Sequence, residues 1–127
     1  MPRKAARVLV IDDMREIADW FADLLEEQGY EVARAYDGVT GLALAKVTAP
    51  DVVLLNYVMP RMDGFQVLAE LKLDPRTPAF MKVIMMSAFG DMPFFRERAT
   101  RAGAFASLGR PNPTSQMLML VEASLAA

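Results

Sequence analysis

Neither cysteine nor histidine occurs in this 127-residue chain. Their absence excludes disulfides, thiol nucleophiles, imidazole bases and the usual zinc ligand sets, and it leaves carboxylates to carry any chemistry. A dominant charge is also lacking: 14 Lys and Arg against 16 Asp and Glu leave a formal net charge of −2. With no basic stripe and no helix-turn-helix pattern, direct binding of DNA or RNA has little electrostatic support. Long apolar runs are missing as well, none approaching the roughly 20 residues needed to cross a bilayer. Met1 to Arg7 are basic but lead into only four apolar residues, Val8 to Ile11, before Asp12. These absences point to a soluble, cytoplasmic protein with no membrane partner. What is present is enough apolar material, 54% of the residues, to fill one core, and the length suits a single domain over 1–127.

Short apolar runs alternate with amphipathic stretches along the whole chain, the pattern of a parallel sheet covered by helices on both faces. Val8 to Ile11 is a β-branched run that fits a strand buried on both sides and ends at Asp12 and Asp13. From Arg15 to Gln28, Ile17, Trp20, Phe21, Leu24 and Leu25 fall on one helical stripe that Gly29 terminates. Glu31 to Ala35 predicts a second strand, Asp37 and Gly38 a turn, and Leu42, Ala45 and Lys46 a helix that stops before Pro50. Gly41 within that helix is a mild weakness, about 1 kcal/mol relative to alanine at an exposed site.

Asp51 to Leu55 predicts the third strand, with Asn56 at its carboxyl end, and Phe65 to Leu73 a helix preceded by Asp63 and Gly64. Lys82 to Met86 predicts the fourth strand, closing on Ser87. Pro93 starts a helix reaching about Ala102, Ala104 to Leu108 predicts the fifth strand, and the last helix begins near Pro113. Five strands and five helices in alternation, joined by right-handed crossovers, predict an α/β, doubly wound, flavodoxin-like sheet with its ligand edge at the strands' carboxyl ends. Asp12, Asp13, Asn56, Ser87 and Arg110 all fall on that edge.

This set of residues resembles the receiver domain of two-component response regulators over essentially the whole chain. The matching pieces are Asp12 and Asp13, the run from Asn56 through Met59, Pro60, Asp63 and Gly64, then Ser87 and Ala88, and finally Gly103 and Ala104 leading to Arg110 and Pro111. The resemblance implies a phosphorylation switch in which an acidic pair, an acceptor aspartate and a backbone carbonyl, here that of Val58, hold Mg²⁺. A Ser or Thr and a Lys would grip the phosphoryl oxygens, and the peptide before Pro111 would be cis. The sequence departs from that pattern at three positions. Asn56 stands at the acceptor position, Arg110 at the lysine and Ser107 where an aromatic residue is common.

A carboxamide has no anionic oxygen with which to form an acyl phosphate, so phosphotransfer to residue 56 is expected to be absent. With only Asp12 and Asp13 charged, Mg²⁺ binding is expected to be weak or lost and no other cofactor is expected. Arg110 is expected to pair with Asp13 or hydrogen-bond Asn56, and Ser87 either to contact a phosphoryl oxygen or merely to cap its loop. If Leu118, Val121 and Leu125 face the core, Met119 lies off that stripe and Leu120 nearly opposite it. Both are then predicted on a partner surface together with Ser107, Phe89, Phe94 and Phe95.

The leading expectation is a non-enzymatic protein-interaction module that binds a histidine kinase, another regulator or itself as a homodimer. The alternative is an ordinary phosphorylatable receiver whose aspartate was replaced by Asn56 through engineering, although one such change does not explain three departures. A nucleotide- or flavin-binding role is weaker, because no glycine-rich phosphate loop follows the first strand and the two aspartates there would repel an anion.

Overall fold

A computed structural model describes residues 5–111 and 114–127. Its elements are β1 (Arg7–Ile11), α1 (Arg15–Glu27), β2 (Glu31–Ala35), α2 (Gly38–Thr48) and β3 (Val52–Asn56), followed by α3 (Gly64–Leu73), β4 (Lys82–Ser87), α4 (Pro93–Arg101), β5 (Ala106–Gly109) and α5 (Thr114–Ala126). The strands form one parallel sheet in the order β2-β1-β3-β4-β5. The predicted fold class is therefore the observed one. The helix start expected near Pro113 lies outside the described residues.

The continuous apolar runs work because both faces of the central strands are covered. Leu9, Ile11, Val53, Leu55, Val83 and Met85 point into one core with Ala45, Phe65, Leu68 and Phe95 of α2, α3 and α4. Val8, Val10, Val52, Leu54, Ile84 and Met86 point into the other with Phe21, Leu25, Met117 and Val121 of α1 and α5. Alternation along a strand divides each run between the two layers, and each layer buries its own helices.

Several local expectations change. The buried stripe of α1 is Ala18, Phe21, Ala22 and Leu25, with Trp20 half exposed. The small alanines let the helix approach the sheet, which pushes the bulkiest residue of the segment outward. In α5 the buried residues are Met117, Val121 and Ser124, so Leu120 lies beside that stripe and is only partly exposed, not opposite the core. Phe95 is buried, so it belongs to the core and not to a partner surface. Gly41 is also buried, and an added Cβ would meet the Ile11 side chain at 2.5 Å, so glycine there permits helix-on-sheet contact. Asp37 and Gly38 open α2 instead of forming a free turn: the Asp37 carboxylate accepts the Thr40 N–H at 2.7 Å. Asp63 and Gln66 close a reciprocal capping box at the start of α3.

Candidate functional site

Four strand ends converge at the carboxyl edge. β1 delivers Asp12 and Asp13, β3 delivers Asn56, β4 delivers Ser87, and the residue after β5 is Arg110. Successive side chains leave a strand in opposite directions, and here the alternation sends Asp12 fully inward while Asp13 stays exposed. The Asp12 carboxylate accepts the Met14 N–H through Oδ1 at 3.0 Å, which fixes the turn into α1. Its Oδ2 lies 2.8 Å from Nη1 of Arg110, an ion pair without the alignment of a hydrogen bond. Burial pushes the Asp12 carboxyl above the usual carboxylate range, and the Met14 N–H and the Arg110 charge only partly offset it.

Asn56 is buried and joins both halves of the site. Its Oδ1 accepts from Arg110 Nη1 at 2.7 Å, while its Nδ2 donates to the Val58 carbonyl at 2.9 Å and to Asp13 Oδ1 at 3.2 Å. The orientation of the amide follows from these neighbours: turned around, an N–H₂ would face a guanidinium and an oxygen would face a carbonyl and a carboxylate. A carboxylate at this position would carry that second conflict in any orientation. Of the two contacts expected for Arg110, the hydrogen bond to Asn56 is present, and the ion pair is made with Asp12 in place of Asp13.

The remaining predicted residues divide. Ser87 is buried, but its hydroxyl accepts the Phe89 N–H at 3.0 Å, the loop-capping arrangement. Ser107 lies away from the strand-end pocket and donates to the Gly90 carbonyl at 2.7 Å. Val58 contributes its carbonyl while its side chain faces out. Phe89 and Met119 are exposed, and Leu120 lines a groove with Arg96, Phe105, Ser107 and Gln116. The Arg110–Pro111 peptide is cis.

Sequence reasoning missed two features near the pocket. An apolar groove beside Arg110 is lined by Met14, Ile17, Trp20, Phe21 and Pro111; the signal for it was the large residue Trp20 off the true buried stripe. Behind Asn56, Tyr57 packs against Phe65 and Phe95, and the Arg98 guanidinium lies 3.9 Å over the Phe65 ring. That cluster joins residues of α3 and α4 to the residue that follows β3, and no local pattern announces it.

The model of the family described as response regulator receiver domain matches residues 8–122. The chain belongs to this family. It is thus a receiver of two-component signalling. It is 38% identical over 119 residues to the DNA-binding dual master transcriptional regulator RpaA of Synechocystis, covering 94% of this chain and 48% of that protein. Against Protein PilH of Pseudomonas aeruginosa it is 34% identical over 121 residues, covering 95% of this chain and 98% of that one. The chain therefore spans about half the length of the first relative and nearly all of the second. Among solved structures, the chemotaxis response regulator CheY4 of Vibrio cholerae superposes with a TM-score of 0.88 at 27% identity, over 96% of this chain and 100% of that one. Among the described residues no helix is long and apolar enough to cross a membrane.

Proposed function

We propose that this receiver signals through protein contacts without a phosphorylation step. The observation that carries the reading is the bridging amide of Asn56, which is saturated by Arg110 on one side and by Asp13 and the Val58 carbonyl on the other. A receiver that takes phosphate needs an anionic oxygen at that point to attack phosphorus, and an amide oxygen held by a guanidinium cannot serve.

The same atoms do not fit a resident Mg²⁺. Oxygen ligands are what that cation demands, yet Asn56 turns an N–H donor toward Asp13 and Val58, and the Arg110 cation already lies against Asp12. The domain is therefore read as binding no metal, and its Arg110 as the internal counter-ion of Asp12. Partners of a receiver are proteins, and the exposed Phe89, Phe94, Phe105 and Met119 with the groove at Leu120 offer a surface for a histidine kinase, another regulator or a second copy.

An ordinary receiver altered only at residue 56 is the competing reading. It is disfavoured because Arg110 is fitted to Asn56 and Asp12 together. Incubating an Asn56→Asp variant with acetyl phosphate and Mg²⁺, followed by intact mass measurement, separates the two. Continued absence of an adduct is expected; ready phosphorylation of that single variant would favour the competing reading.

A further inference from the structure

The connection between β4 and α4, residues 88–92, is fastened to β5 by groups that the strand-end pocket does not use. Ser107 of β5 donates its hydroxyl to the Gly90 carbonyl at 2.7 Å. The Gly90 N–H donates to the Ser87 carbonyl at 2.9 Å, and that carbonyl also accepts the Arg110 N–H. The Ser87 hydroxyl takes the Phe89 N–H, and the Phe89 carbonyl takes the N–H of Met92, the residue before α4. Backbones touch here: a Cβ on Gly90 would overlap the Leu108 carbonyl group, and one on Gly109 would overlap the Asp91 carboxylate. Glycine at both positions lets the loop lie flat on the strand.

We propose that Ser107 is a latch that fixes this loop on β5, holding the exposed pair Phe89 and Phe94 in one arrangement whatever happens at Asp12, Asn56 and Arg110. The two rings are 51% and 59% exposed with centroids 6.0 Å apart. A short side chain whose hydroxyl is already spent on a backbone carbonyl has no large group to swing between an inner and an outer site. The face that meets partners is thereby preset. The latch stands on loop geometry, and only its consequence, a permanently presented face, rests on the contact-based reading above.

Hydrogen exchange on the full chain tests it, comparing the wild type with Ser107→Ala and Ser107→Thr. In each protein the amides of Phe89, Gly90 and Met92 are referenced to those of β1 and β3. Loss of one hydrogen bond in Ser107→Ala should speed exchange at those three amides roughly fivefold. Ser107→Thr, which keeps the hydroxyl, should restore wild-type rates. Unaltered rates in Ser107→Ala, or acceleration in Ser107→Thr as large as in Ser107→Ala, would overturn the latch. Neither result bears on whether the chain accepts phosphate, so the two proposals fail separately.

Discussion

Arg110 makes both of its pocket contacts through one nitrogen, Nη1, which lies 2.8 Å from Asp12 and 2.7 Å from Asn56. Removing that cation leaves a fully buried carboxylate without its counter-charge, a loss that costs about 3–5 kcal/mol where it has been measured. Arg110→Ala should therefore lose about that much stability in urea denaturation, and a loss below about 1 kcal/mol would show the pair to be dispensable. Asp12 gives a pH signature. Burial raises its native value above the 3.8 of an ordinary carboxyl, so the native state holds its proton more tightly than the unfolded chain does. Its contribution to stability is most favourable below 3.8 and declines as pH rises through the raised native value. The stability of Asp12→Asn relative to wild type should therefore increase from acid toward neutrality; a gap that does not vary with pH would contradict this. That an acidic pair sits beside Asn56 was legible in the sequence. Which of the pair turns inward was not, because adjacent residues at a strand end face opposite ways and neither carries a mark of its direction.

At the level of elements, helix propensity and packing disagree over Gly41. Propensity alone makes alanine better by about 1 kcal/mol, as at an exposed helix site. The Ile11 side chain, however, would lie 2.5 Å from the new Cβ, and Ile11 is itself fully buried in the core. Overpacking costs about 1–3 kcal/mol, so Gly41→Ala should be destabilising in thermal unfolding; a raised melting temperature would show that Ile11 moves aside at little cost. The strands were readable because runs such as Val52 to Leu55 are buried on both faces and need no alternation. Their limits were less readable: β3 includes Asn56 and β5 starts at Ala106, since pairing to β4 sets those ends and not hydropathy. The α1 stripe was misplaced because large residues draw attention, whereas the close contact is made by Ala18 and Ala22.

Across the whole molecule, the sheet order β2-β1-β3-β4-β5 brings residues far apart in the chain to one edge, where Asn56 and Arg110 meet across 54 positions. The doubly wound topology makes that edge a natural ligand site. In this chain an arginine and an amide take up the oxygens that such a site offers, and the polar network is internally matched. On the contact-based reading proposed above, the exposed residues beyond it, from Phe89 to Met119, are the surface offered to partners. The most direct measurement is the intact mass of the unaltered chain after prolonged incubation with acetyl phosphate and Mg²⁺. The account predicts a mass identical to that of the untreated protein, and a gain of one phosphoryl group on any residue of the strand-end pocket would contradict it.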